Sequence, residues 1–171
     1  MGRKRDLEIS FRLEDSIFAL LKEKDFSEIS ISEVCKRAWV SRSAFYRNYH
    51  DLETIIYEYF MRQTSSWWNE HVDGFRNNQL DVATSFFTYL FSLKDRILLL
   101  HQKNVSYVFE QHVFDSTLNS RANDQDKIYQ SYALVGKITG VVRRWIQTEM
   151  KDDPSYVASF FKEENSYKVK L

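Results

Sequence analysis

The sequence contains few glycine, proline and cysteine residues and no long apolar run. Of its 171 residues, four are glycine, one is proline and one is cysteine. Because turns between strands draw on glycine and proline, this scarcity disfavours a β-rich fold and favours long helices joined by short polar loops. The single cysteine, Cys35, excludes a disulfide within the chain. No apolar run approaches the roughly 18 residues that a membrane-spanning helix needs.

The chain also lacks an excess of either charge. It carries 24 basic and 24 acidic residues, so a nucleic-acid binder that is basic throughout is excluded, whereas a local basic face is not. The charged residues 1–6 lead into no apolar segment, and we therefore expect no signal peptide, no membrane association and a cytoplasmic location. An apolar content of 43% predicts a folded protein rather than a disordered one.

Apolar residues recur at helical spacing along most of the chain and predict an all-α fold of about nine helices. Ser30 and Glu33 have the spacing of a capping box at the start of a second helix, and Ser41 is placed to cap a third that runs to about residue 49. Breaks are expected at Gly74, at 77–78 and at 119–126. A long helix is predicted over 127–150, and Asp153–Pro154 is typical of a helix start. We expect a three-helix domain over 1–50 and a helical domain over 51–171.

The second and third predicted helices are short and are joined by a tight link at 38–40, as in a helix-turn-helix. The window 35–50 contains five basic or imidazole side chains and no acid: Lys36, Arg37, Arg42, Arg47 and His50. A helix that approaches phosphates cannot carry carboxylates on the face turned to the DNA. The window therefore predicts a DNA-binding surface.

Residues 9–60 resemble the DNA-binding region of the TetR family. The segments 31–38 (ISEVCKRA) and 40–46 (VSRSAFY), followed by Tyr49 and Ile55–Ile56, are similar to its consensus. Residues 132–136 (YALVG) and 140–146 (GVVRRWI), with Asp153–Pro154, resemble the C-terminal end of a Firmicutes-type branch that includes regulators of dihydroxyacetone kinase operons. Trp39 stands where the family has a turn glycine, and Leu52 stands where it has a lysine.

The resemblance implies a homodimeric regulator on palindromic double-stranded operator DNA, with repression released by a small-molecule effector. It places Arg42, Ser43 and Ala44 at base edges and Tyr46 and Asn48 at phosphates. With the remaining donors, the predicted DNA-binding residues are Ser30, Arg42, Ser43, Ala44, Tyr46, Arg47, Asn48 and His50.

Two further sites are expected in the C-terminal part. The aromatic content of 16% is concentrated in its middle, where it either fills a core or lines an effector pocket. The pocket candidates are Trp67, Trp68, Phe87, Phe91, Tyr107 and His112. Gly136 and Gly140 lie four apart in the long helix and indicate close approach of another helix, from a second copy or from the same chain. The dimer candidates are Tyr132, Val135, Gly136, Thr139, Gly140, Arg143, Phe160 and Phe161.

No catalytic or metal-binding motif stands out. The sequence contains no His-x-x-x-His pair, no Cys/His cluster, no P-loop and no nucleophile elbow, so we expect no enzyme, no metal and no cofactor. Two alternatives stay open beside the ligand-controlled regulator. One is a DNA-binding coactivator that is controlled by a protein partner and has no ligand cavity. The other is a helical interaction protein whose helix-turn-helix does not bind DNA.

Overall fold

A computed structural model describes residues 2–76, 81–117 and 125–161. In these ranges it contains nine α-helices, one 3-10 helix over Phe26–Glu28 and no strand. The α-helices are, in chain order, α1 (Gly2–Glu23), α2 (Ile31–Ala38), α3 (Arg42–Asn48), α4 (Leu52–Arg76), α5 (Val82–Ser92), α6 (Lys94–Gln102), α7 (Ser106–Thr117), α8 (Gln125–Gln147) and α9 (Pro154–Ser159). The all-α prediction is therefore confirmed for the described residues.

Several helices begin where a side chain satisfies the free backbone N–H groups of the first turn. Asp81 accepts hydrogen bonds from the backbone N–H groups of Ala83 and Thr84 at the start of α5. Asp153 accepts one from Ser155 at the start of α9, and Pro154 occupies the first helical position. The predicted helix start at Asp153–Pro154 is confirmed, because a cap depends only on residues that are close in sequence.

Some predicted helix bounds are wrong. Helix α4 continues through Gly74 to Arg76; one glycine costs only about 1 kcal/mol against alanine, which a long, well-packed helix tolerates. Helix α8 ends at Gln147, before the predicted end at residue 150, because Glu149 and Met150 have φ angles of 57° and 49°. The predicted breaks at 77–78 and, for the most part, at 119–126 lie outside the described residues.

The buried apolar side chains form one contiguous core from Ile9 in α1 to Ala158 in α9. Helix α1 packs on α2 and α4, α7 lies against both α4 and α8, and α9 covers α5. The core thus crosses the expected division at residue 50, and that division stays a prediction. Of the helices that the structure describes, none is both long and apolar enough to cross a bilayer.

Charged side chains fasten α1 to α4 and α6. Glu14 of α1 is buried and forms an ion pair with Arg62 of α4. Burial raises the pKa of Glu14, and Arg62 opposes that effect. The guanidinium of Arg96 in α6 lies 4.6 Å from the ring centroid of Phe18 and 4.3 Å from that of Tyr59. These contacts fix α1, and with it α2, relative to the rest of the chain.

Candidate nucleic-acid interface

Helix α2 begins with the predicted capping box. The Ser30 hydroxyl accepts a hydrogen bond from the Glu33 backbone N–H at 3.3 Å, and a Glu33 carboxylate oxygen accepts one from the Ser30 backbone N–H at 3.0 Å. Lys24 Nζ lies 2.5 Å from the other Glu33 carboxylate oxygen. The hydrogen bond from Lys24, followed by those from Ser30, lowers the pKa of Glu33 to about 2. The cap therefore stays ionised at any ordinary pH.

The turn between α2 and α3 is built on a left-handed residue. Trp39 has φ 54° and ψ 43°, and the Val40 backbone N–H donates to the Cys35 carbonyl at 3.0 Å. This closes α2 in the way that a glycine usually does. The tryptophan thus keeps the turn geometry expected of a helix-turn-helix, and its backbone has a conformation that is costly for a side chain of this type. Its side chain is 88% exposed, whereas Val40 is buried.

Helix α3 is capped at its start and anchored along its inner face. The Ser41 hydroxyl accepts a hydrogen bond from the Ala44 backbone N–H at 3.2 Å, as predicted. Phe45 is fully buried, and Tyr49 is buried beside it with the ring centroids 5.9 Å apart. Because Phe45 and Tyr49 are buried against the core, the opposite side of α3 is the side that faces solvent.

That outer face carries donors and no acid. The exposed side chains are those of Arg42, Ser43, Tyr46, Arg47 and Asn48, which we call the recognition surface. In the part of the chain that the structure describes, no carboxylate forms an ion pair with Arg42 or Arg47. His50, also exposed, follows the end of α3. The recognition surface is therefore free to meet an anionic partner.

Some predicted DNA-binding residues are placed less favourably. Ala44 is 8% exposed and packs inward, so its methyl group is not part of the recognition surface. Asn48 donates its side-chain N–H to the Ala44 carbonyl at 2.8 Å. The Ser30 hydroxyl is exposed but is already engaged in the capping box. Leu52 is buried at the start of α4, so this position offers no cation to a phosphate.

Arg37 and Lys36, two cations of the acid-free window, differ in whether an acid neutralises them. Arg37 forms an ion pair with Glu23 at 2.8 Å, so part of its charge is neutralised. Lys36 is exposed beside it. The sequence places both in a basic window, but it does not show that the window borders α1, whose last turn supplies Glu23.

A cavity of about 770 Å³ opens between α4, α5 and α8. Three predicted pocket residues line it, namely Trp67, Trp68 and Phe87. Among the described residues its lining is mostly apolar and consists of Met61, Thr64, Ser65, Trp67, Trp68, Asn69, Val82, Ala83, Phe86, Phe87, Ser116, Leu134, Ile138 and Phe161. No ionisable side chain is among these residues, so the cavity suits a neutral, largely apolar molecule.

The other three predicted pocket residues lie elsewhere. Phe91 stacks on Trp145 with ring centroids 5.9 Å apart, away from the cavity lining. Tyr107 is half exposed and donates its hydroxyl to Glu53 of α4. His112 is buried behind the cavity wall. Helical spacing shows which face of a helix is apolar, but not which neighbour that face meets.

His112 belongs to a buried polar chain that supports the cavity wall. Its Nε2 lies 2.8 Å from the Thr64 hydroxyl, which lies 2.9 Å from the Tyr89 hydroxyl. Nδ1 of His112 is buried without a hydrogen-bond partner among the described residues. An unprotonated Nδ1 leaves no buried donor unsatisfied, so Nε2 carries the proton. Burial lowers the pKa of His112 to about 4, while Asp115 opposes the shift.

Five predicted dimer residues share one side of α8. We call this set the α8 face: Tyr132, Gly136, Thr139, Gly140 and Arg143. A Cβ atom built on Gly136 or Gly140 would meet nothing within 4 Å in the described part of the chain. The close approach that these glycines indicate is therefore not made by another described helix of the same chain. Arg143 is exposed and forms an ion pair with Glu110 of α7 at 2.5 Å.

The remaining dimer candidates divide between surface and core. Val135 is fully buried, although it lies one helical turn from Tyr132 and Thr139 of the α8 face. Phe161 packs on Phe87 with ring centroids 5.3 Å apart. Phe160 is 43% exposed, with Tyr156 beside it. Val135 and Phe161 thus contribute to the protein's own core, whereas Phe160 lies at the surface.

Comparison with known proteins assigns the chain to no family. No family model matches it, and no curated protein does so either. A functional assignment therefore depends on the geometry and charge of the sites described above.

Proposed function

We propose that the chain is a DNA-binding transcriptional regulator of the TetR type that acts as a homodimer. The observation that carries the proposal is the recognition surface: a short capped helix, anchored from inside by Phe45 and Tyr49, presents donors and no carboxylate. Helix α3 has the size and position of a helix that enters the major groove, and α2 crosses it as the supporting helix.

The exposed residues divide into two roles. Arg42 and Ser43, in the first turn of α3, contact base edges, and a guanidinium there forms a bidentate pair with guanine O6 and N7. Tyr46, Arg47 and Asn48 lie further along α3 and hold phosphates, which positions the helix without reading sequence. Ala44 contributes packing rather than a base contact, because its methyl group is buried.

A second copy of the chain covers the α8 face. Its two glycines allow a facing helix to approach closely, and their Cβ positions are unoccupied by the described part of the chain. Two-fold pairing through α8 would present two copies of α3 to half-sites about one helical turn of DNA apart.

The cavity favours control by a small molecule over control by a protein partner. Trp67, Trp68 and Phe87 line about 770 Å³ of mostly apolar space. A neutral effector bound there would favour one spacing of the two recognition helices, and thereby change operator affinity through its different affinities for two states. We expect the effector to release repression.

The experiment is a selection of duplexes from a random DNA library, followed by titration of the best duplex and of random duplex at several salt concentrations. We expect a palindromic preference and an affinity that falls steeply with salt, with a slope near −0.9 per phosphate neutralised. Equal affinity for selected and random duplex at physiological salt would reject the regulator in favour of a helical interaction protein.

A further inference from the structure

Trp39 is the most exposed large apolar side chain in the described part of the protein. Its exposed fraction is 88%, against 67% for Tyr129, the next in order. No ring contact or ion holds the indole in place within the described residues. A tryptophan that is left in water forfeits the burial that usually makes this residue favourable.

The backbone at Trp39 is unfavourable as well. Three other non-glycine residues have positive φ, namely Asn104, Glu149 and Met150. Asparagine tolerates this region, and the Met150 side chain is 1% exposed, so packing compensates its backbone. Trp39 combines a strained backbone with an unburied aromatic ring. The backbone conformation allows the hydrogen bond from Val40 to Cys35 that closes α2, but the ring gains no contact within the described residues that compensates its exposure.

The position of Trp39 indicates which partner would cover its exposed indole. It lies two residues before Ser41, which caps the N-terminal end of α3. The first residues of α3 are those that would reach base edges. Trp39 also lines a surface groove with Lys36, Arg37, Ser41 and the acid Glu33. Glu33 is paired with Lys24 and Arg37 with Glu23, so Lys36 is the cation of this groove that forms no ion pair within the described residues. When a recognition helix lies in the major groove, its first residues contact base edges and the preceding helix crosses the DNA backbone, so a residue between the two helices is close to that backbone.

We propose that Trp39 is a DNA-backbone contact beside the recognition helix. This inference rests on the proposed function. The flat face of the indole packs on deoxyribose carbons, and Nε1–H, its only donor, bonds a phosphate oxygen. Such a contact adds affinity for every sequence alike and carries no base preference.

The test is Trp39→Gly, measured for both unfolding and DNA binding. Glycine adopts positive φ without strain, so the variant should unfold at the same temperature as the wild type or higher. Its affinity should fall about tenfold on selected and random duplexes alike, which corresponds to about 1.4 kcal/mol. The matched control is Asn104→Gly, which changes another exposed residue with a φ of 56° in the turn between α6 and α7 and should leave DNA affinity unchanged.

The possible results separate the two proposals. If wild-type protein prefers no duplex, the proposed function fails whatever Trp39 does. If wild-type protein binds a selected duplex and Trp39→Gly binds it equally well, the Trp39 contact is overturned, and the exposed ring is left for a protein partner. A loss confined to the selected duplex would mean that Trp39 reads a base, which also contradicts a backbone role.

A measurement on folded wild-type protein provides an independent check. Acrylamide quenches exposed indoles, and Trp39 is far more exposed than the next tryptophan, Trp68, at 46%. Saturating DNA should lower the quenching of the wild type, and this protection should disappear in Trp39→Phe. Unchanged quenching of the wild type at saturating DNA would overturn the proposal.

Discussion

Arg62 of α4 forms an ion pair with Glu14 of α1, and the Glu14 side chain is 4% exposed. The pair joins α1, which packs on α2, to α4, which lines the cavity. A buried pair of this kind specifies how the two helices meet rather than how stable they are, because desolvation offsets most of the attraction.

Replacing one partner of the pair should therefore lower the free energy of unfolding more than replacing both partners with apolar residues. We expect Arg62→Met to lower the free energy of unfolding by about 3 kcal/mol, since it leaves Glu14 buried without a cation. The loss should lie at the low end of the usual range because Arg62 is 27% exposed and Glu14 can take up a proton. Chemical denaturation measures the change. The double variant Glu14→Leu/Arg62→Met should recover at least half of it, and strictly additive losses would contradict the coupling.

Base reading and phosphate binding should separate within α3. Arg42→Ala should reduce the preference for the selected duplex over a scrambled one by about 1–3 kcal/mol. Tyr46→Phe should weaken binding to both duplexes alike, because a phosphate contact carries no sequence information. Competition titrations against both duplexes measure the two effects. An equal loss on cognate and scrambled DNA for Arg42→Ala would refute its base-reading role.

Features that depend on close neighbours in sequence could be predicted from the sequence. Ser30 with Glu33, Ser41, and Asp153 with Pro154 all cap helices as expected, because each cap joins residues only two or three apart. The inward packing of Phe45 and Tyr49 also follows from helical spacing.

Features that depend on tertiary contacts could not be predicted from the sequence. Phe91 and Tyr107 share the apolar spacing of the cavity residues, yet one stacks on Trp145 and the other bonds Glu53. Trp39 stands where the resembled family has a turn glycine, and only its backbone angles show that it keeps the left-handed conformation of that turn.

The α8 face gives a prediction about assembly. Gly140→Arg should convert a dimer into a folded monomer, because a Cβ atom at this position meets nothing within 4 Å in the described chain, whereas the arginine side chain would fill the space needed by a facing helix. Sedimentation measures the mass, and circular dichroism should show unchanged helix content. Gln102→Arg adds the same charge at an exposed position at the end of α6 and is the matched control. A Gly140→Arg variant that sediments as the wild type would place the dimer contact elsewhere.

The buried imidazole of His112 should make stability depend on pH. Burial, opposed by Asp115, lowers its pKa from 6.5 to about 4 in the folded protein. Between these values the unfolded chain takes up a proton that the folded chain does not, so the stability present above pH 6.5 declines as the pH falls towards 4. The decline from this residue amounts to about 3 kcal/mol at most, at 1.36 kcal/mol per pH unit.

Unfolding by denaturant at several pH values between 4 and 7 isolates this contribution. His112→Gln can still bond Thr64 but cannot take up the proton, so its stability should vary less with pH than that of the wild type, even where its absolute stability is lower. His101→Gln, at an exposed position on α6, controls for the loss of an imidazole. Because carboxylates titrate in the same window in every variant, the decisive quantity is the difference in slope between wild type and His112→Gln. Equal slopes would mean that the folded protein protonates His112 as readily as the unfolded chain does, and the neutral chain from His112 through Thr64 to Tyr89 would then be wrong.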